Sequence, residues 1–310
     1  MLWLCCLSVL LAACEQATVN PPTPTTITIA GATAMQPVLH DLTAEYSQRH
    51  PTVLFNWLGG SSAIGEERLL AHEVDFAAST LVPDKPISTT VVTPAVSPKI
   101  TSPQPALVRI PIGLDGLAVI VHPTNAIRNL TLIQLHDLFS GRILDWSALG
   151  STSGEVGLVS REDGSGSRWL FEKRVMGADR VSLTAVVMPT SADMVDYVAQ
   201  NPGAIGYVSR AYVVDALRQQ TDRVTENAPP RPTQGITKTV PSGSRSRVRV
   251  VRVENQLPDI ENLKKQSYFL TQPLFLLTLG QPQGISREFV DFVLSPAGQA
   301  IVERYHARVR

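Results

Sequence analysis

The amino-acid sequence predicts an α/β fold with a largely parallel sheet, in a chain large enough for two domains. Three observations carry that expectation. From Ile27 onward, short apolar runs alternate with segments of helical periodicity, the pattern of strands joined by crossover helices. The 310 residues exceed the span of one ordinary domain, about 100–200 residues. Apolar residues at 44% against 17% charged supply a sizeable core and exclude wholesale disorder.

The chain before Ile27 reads as an address rather than a fold. Leu2 to Leu11 is an uncharged apolar run, of signal-peptide length and too short to span a bilayer. Leu11-Ala12-Ala13-Cys14 resembles the lipobox of bacterial lipoproteins. That likeness implies a signal peptide over 1–13 and a lipidated Cys14 that holds the mature chain at a membrane. No Lys or Arg precedes the apolar run, which departs from the usual leader. Residues 14–25 are polar and rich in Pro and Thr, and read as an extended tether.

Ile27-Thr28-Ile29 is the first expected strand. Met35, Val38, Leu39, Leu42 and Tyr46 then recur at helical spacing. Val53 to Leu58 is the next expected strand, followed by a Gly-Gly-Ser-Ser turn and a helix to about His72. Val74 to Ser79 is a third. Residues 81–105 hold six prolines and little periodicity, so a loop is expected. Leu114 to Val121 is a strongly apolar strand. Thr131 and Gln134 have capping-box spacing, with Leu132, Leu135 and Phe139 on one helical face behind them. A helix is expected over Trp169–Met176. Residues 219–247, rich in Pro, Arg and Ser, read as a mobile insertion. A strand from Pro273 to Leu279 and a helix through Leu294 follow, and Ser295-Pro296 opens a last helix.

Composition excludes several functions. Lys plus Arg equals Asp plus Glu at 27 each, so the basic excess that nucleic-acid binding demands is missing. The three cysteines, Cys5, Cys6 and Cys14, all lie in the first fourteen residues, which leaves the body no disulfide, thiol nucleophile or Cys-based zinc site. Six scattered histidines form no H-x-x-x-H pair, so no metal and no cofactor are expected.

Three helix entrances stand out instead. Gly31-Ala32-Thr33-Ala34, Gly59-Gly60-Ser61-Ser62 and Arg161-Glu162-Asp163-Gly164-Ser165-Gly166-Ser167 each combine glycine with hydroxyl residues before a helix. A helix N-terminus exposes unpaired N–H groups and partial positive charge. Glycine lets the backbone approach closely, and hydroxyls add uncharged donors. One such turn is an ordinary cap. Three, with an arginine in one, point to donors converging on a tetrahedral oxyanion.

GATAMQP, GGSSAIGEERLLAHEVDFAAS, PIGLDGLAVIVHP, NLTLIQLHDLFSGRILDWSALG, REDGSGSRWLFE, NPGAIGYVS and YFLTQPLFL…EFVDFVLSPAGQAIV stand in an order that resembles the phosphate-binding proteins of ABC importers. The resemblance implies a periplasmic-binding-protein type II fold, a two-lobed α/β clamp crossed twice by the chain. Lobe one would hold 26–112 plus 257–310, and lobe two 113–256. It implies phosphate contacts at Thr33, the Ala34 N–H, Ser61, Arg161, Ser165, the Gly166 N–H and Ser167, with Asp163 as the carboxylate partner of Arg161. The arginine's planar fork suits two phosphate oxygens at once. Where many members carry an Asp that accepts the phosphate's proton, this chain has Thr80, which puts the preferred ion in question.

The implied partners are inorganic phosphate, a membrane-embedded ABC permease with its cytoplasmic ATPase, and the membrane through lipid on Cys14. The protein would act outside the cytoplasm as a monomer. Rival readings are a binding protein for molybdate, tungstate or sulfate, a surface sensor or adhesion module keeping the fold, and, more distantly, a hydrolase or phosphatase. Asp163 two residues before Ser165 breaks the G-x-S-x-G elbow, so no enzyme is expected.

Overall fold

A computed structural model describes residues 23–82, 106–226 and 247–309. The expected signal peptide, most of the tether, Cys14 and the expected loop at 83–105 lie outside the described residues.

The first lobe begins with β1 (Thr25–Gly31), a 3₁₀ turn at Thr33–Met35, α1 (Gln36–Arg49), β2 (Val53–Trp57), α2 (Ser62–Leu70) and β3 (Phe76–Ser79). β1 pairs in parallel with both β2 and β3. α1 buries Val38, Leu39, Leu42 and Tyr46 on one face, as their spacing predicts. Tyr46 meets Phe55 and Phe289 edge-on in that core.

β4 (Leu107–Val121) carries the chain out of this lobe, longer than its apolar half suggests. The second lobe adds β5 (Asn129–Leu130), α3 (Leu132–Phe139), β6 (Gly157–Arg161), α4 (Gly166–Phe171), β7 (Val186–Met188), α5 (Ser191–Gln200), β8 (Ala204–Ser209), α6 (Val214–Glu226), β9 (Arg249–Val253) and α7 (Ile260–Lys264). The expected helix at Trp169–Met176 starts earlier, and its last five residues wind as a π-helical turn. α3 carries the expected capping box, with Thr131 Oγ1 accepting from the Gln134 N–H and Gln134 Oε1 from the Thr131 N–H. β10 (Thr271–Leu279) returns to the first lobe, which α8 (Gly284–Leu294), α9 (Pro296–Tyr305) and β11 (Ala307–Arg308) complete.

The strands run in the order β2-β1-β3-β10-β4-β8-β6-β7, with β5, β9 and β11 off that path. Parallel pairing holds within each lobe, but β4 and β10 pair antiparallel with each other and with their other neighbours. The largely parallel expectation fails there for a geometric reason. The chain leaves on one crossing strand and returns on the other, in opposite directions.

Both faces of each lobe's sheet are covered. Leu117, Val119 and Val121 enter one core while Ala118 and Ile120 enter another, which is why that strand reads as a continuous apolar run. In the first lobe Ala78 and Leu276 face one core, and Ala77 and Leu277 the opposite one.

Leu257, Leu263, Tyr268 and Leu270 pack in the second lobe's cores, and the Tyr268 hydroxyl donates to the Leu117 carbonyl at 2.8 Å. The segment 257–270 thus packs against the second lobe's strands, beside the two crossing strands. Within 219–247, expected as an insertion, α6 continues to Glu226, and Gln220 Nε2 donates to the Val250 carbonyl at 2.9 Å. Residues 227–246 lie outside the described ones. Among the described residues no helix is long and apolar enough to cross a membrane.

Candidate functional site

The three helix entrances meet where the lobes face each other. They line one small polar cleft together with Thr80, Glu162, Ala32 and Ser62. Thr33, Ala34, Ser61, Arg161, Ser165, Gly166 and Ser167, all expected from the sequence, lie on its wall.

Each loop is braced before any ligand is considered. Ser61 caps α2, its hydroxyl accepting from the Ile64 N–H at 3.2 Å. Ser165 caps α4 in the same way, accepting from the Arg168 N–H at 3.4 Å. Ser62 Oγ accepts from the Thr80 N–H at 3.1 Å, tying the end of β3 to the second loop. The Thr80 hydroxyl itself is buried and has no hydrogen-bond partner among the described residues. That hydroxyl is thus an unused donor and acceptor on the cleft wall.

Arg161, at the end of β6, is 2% exposed. Its Nη1 donates to Ser191 Oγ at 2.9 Å, and its Nη2 donates to Thr33 Oγ1 on the other lobe at 3.1 Å. Its carboxylate partner is Glu162, which accepts from Nε at 2.8 Å and from Nη2 at 2.9 Å. The expected partner, Asp163, is 94% exposed and pairs with Arg168 at 2.7 Å. Gly164, at φ +80°, turns the chain there and leaves Asp163 outside the cavity. One bidentate edge of the arginine is thus filled by Glu162, so the fork pairs a neighbouring carboxylate before any anion. The end bearing Nη1 and Nη2 faces Ser191 and Thr33.

Arg168 works as a strut rather than a solvated helix-face residue. It bonds Glu172 at 2.8 Å and the Arg161 carbonyl at 3.0 Å. Burial lowers its pKa, but Glu172 and Asp163 outweigh that and hold it above the ordinary value. Glu66, the other acid beside this region, is consumed by Arg109 at 2.7 Å and by the Ser79 hydroxyl at 2.6 Å, and does not line the cavity.

The lobes touch across the site. The Ala63 N–H donates to the Gly164 carbonyl at 3.1 Å, and the Ser191 N–H to Thr33 Oγ1 at 3.3 Å. The Tyr212 hydroxyl donates to the Thr33 carbonyl at 2.7 Å. Burial pushes its pKa up to about 12, against the opposing pull of Arg161, so it stays a donor even above its ordinary value of 10.0. A methyl group at Gly166 would stand 2.0 Å from Thr80 Oγ1. This is a closed clamp.

Ser191 and Tyr212 lie outside the motifs that mark the site. Ser191 follows a plain Thr190 cap with no glycine, and only its meeting with Arg161 marks it. A larger groove near Asp41, Arg218 and Tyr305 lies elsewhere. Its charged residues pair with one another, Arg247 with Asp196 at 2.8 Å among them.

A family model described as a PBP superfamily domain matches residues 17–297. The phosphate-binding protein PstS of Bacillus subtilis (strain 168) is 23% identical over 270 residues, spanning 87% of this chain and 75% of its own. In fold, the chain is similar to a phosphate ABC transporter substrate-binding protein with bound phosphate from Clostridium perfringens. The TM-score is 0.71 at 24% identity, covering 92% of this chain and all of that one. An ABC-type phosphate transport receptor from Vibrio cholerae gives a TM-score of 0.58 at 24% identity, covering 91% of this chain and 99% of its own. These are proteins of the kind the sequence motifs resemble. With a family match over most of its length, and two α/β lobes joined by two crossing strands, the chain belongs to the PBP superfamily.

Proposed function

We propose that this protein captures inorganic phosphate between its lobes and delivers it to an ABC permease, as an extracytoplasmic monomer anchored by lipid on Cys14. The observation that carries the reading is the buried cavity itself. Both lobes line it with hydroxyls and helix N-terminal N–H groups around Arg161, and it holds the unpartnered Thr80 hydroxyl. Short hydroxyl side chains, backbone N–H groups and one arginine line it, which suits a small anion rather than an apolar organic ligand. The phosphate named in the descriptions of the relatives supports the choice of ion.

The same cavity argues against a hydrolase. Glu162 is the acid on its wall, and both its oxygens are held by Arg161. His306 is turned to Asp115 and does not line the cavity. Among the described residues nothing there is placed to act as a general base.

Thr80 keeps a second reading open, that of another tetrahedral oxyanion, because a hydroxyl can donate to sulfate or molybdate as well as accept from phosphate. Identifying the anion that co-purifies with the protein separates the two. Phosphate is the expected result, and molybdate or sulfate in its place overturns the first reading. For the anchor, acyl label that persists in Cys14→Ser would contradict lipid attachment at that residue.

A further inference from the structure

We infer that Gln272 is a positioning residue that commits the Ser167 hydroxyl to donate into the cavity, with Asp115 fixing the orientation of the Gln272 amide. This rests on the phosphate reading of the site and names a determinant of its affinity outside the three loops.

Asp115 on β4 and Gln272 on β10 are direct partners across the two crossing strands, and both are buried. Gln272 Nε2 lies 2.9 Å from Asp115 Oδ2 and 3.4 Å from Ser167 Oγ. A carboxylate accepts and cannot donate, so it holds the NH₂ end of the amide toward itself. The second hydrogen of that nitrogen then reaches Ser167. The serine oxygen accepts this bond, and its single hydrogen is left for the cavity that Ser167 lines.

Asp115 is itself fixed. His306 Nδ1 lies 3.1 Å from Oδ1, and the Arg210 guanidinium acts on the same carboxylate electrostatically. Arg210 is anchored in turn by the Pro258 carbonyl at 2.8 Å and by the Tyr305 carbonyl. The other end of the Gln272 amide, Oε1, is buried without a hydrogen-bond partner among the described residues. An orphan carbonyl is destabilising, and packing alone would be served better by an apolar side chain. The amide is retained for what its nitrogen does. Because β4 and β10 are also the crossing strands, the relay ties the loop of one lobe to the hinge.

A double-mutant cycle with phosphate titration tests this, using Ser167→Ala, Gln272→Met and the pair, with thermal unfolding confirming that each is folded. Each single change should weaken phosphate binding about tenfold, and the double variant should bind no more weakly than Ser167→Ala. Multiplying losses in the double variant overturn the relay. Asp115→Asn is the second arm and carries the test if Gln272→Met does not fold. An asparagine NH₂ lets the Gln272 amide turn over and present its oxygen to Ser167, which then donates inward. Its loss of affinity should vanish in the Ser167→Ala background, and a loss that persists there overturns the inference. An unmodified protein that binds no phosphate overturns the phosphate reading itself, and the relay with it.

Discussion

Arg161 of the second lobe donates through Nη2 to the hydroxyl of Thr33 on the first lobe, 3.1 Å away. Charge and closure therefore meet in one residue. The guanidinium that would face the anion also holds the lobes together, and ligand contacts at both ends would favour the closed state. Arg161→Ala should weaken phosphate binding by about 2–5 kcal/mol, since it removes one partner of a buried charge pair and leaves Glu162 facing the anion. Arg161→Lys should recover only part, because an ammonium lacks the planar fork that holds Glu162 through two nitrogens while reaching Ser191 and Thr33. Near-native affinity in the alanine variant, by calorimetry, would remove Arg161 from the site.

Tyr212 ties folding stability to alkaline pH. Burial raises its pKa from the ordinary 10.0 to about 12. The unfolded chain loses this proton first, so the contribution is full below pH 10 and fades as pH rises through about 12. Buried Tyr207, also raised to about 12, acts in the same direction. Urea unfolding across this range should show falling stability, with a shallower fall in Tyr212→Phe. An identical slope in that variant would mean that Tyr212 ionises alike in both states.

Gly166→Ala should wedge the clamp open. The added methyl would stand 2.0 Å from Thr80 Oγ1 and 2.9 Å from Ser62 Oγ, both across the cleft. We expect a larger radius of gyration by small-angle scattering at saturating phosphate, and an affinity at least about tenfold weaker. Unchanged dimensions and affinity would show that the lobes do not meet at this point.

Thr80 bears on the choice between phosphate and sulfate. Phosphate keeps a proton at neutral pH and sulfate keeps none. A carboxylate would accept that proton and repel sulfate, whereas a hydroxyl serves either ion. Sulfate at millimolar concentration should therefore compete measurably, and Thr80→Asp should exclude it more strongly. If the unmodified protein ignores sulfate and the variant behaves identically, discrimination lies elsewhere.

Much of the site was legible because its chemistry is local. Glycines and hydroxyls before an apolar helical period mark an anion-binding entrance wherever they occur, and all three entrances reach one cavity. What was not legible depends on which distant segments meet. Ser191 looks like any helix start until Arg161 arrives from 30 residues upstream. Asp163 and Glu162 are equivalent in sequence, and the turn at Gly164 decides which of them meets Arg161. The core that the segment from Leu257 to Leu270 joins is not legible, because it holds one five-residue helix, α7, and too little periodicity. The fold class was clearer, since runs such as Leu117–Val121 are apolar on both faces and a sheet covered on both sides needs such strands.

The central claim is that both lobes close on one phosphate ion, and titration calorimetry of the anion-stripped protein tests it most directly. The account predicts one phosphate per chain, with binding lost together in Thr33→Ala of the first lobe and Arg161→Ala of the second. No uptake of phosphate, or binding that survives both substitutions, would contradict it.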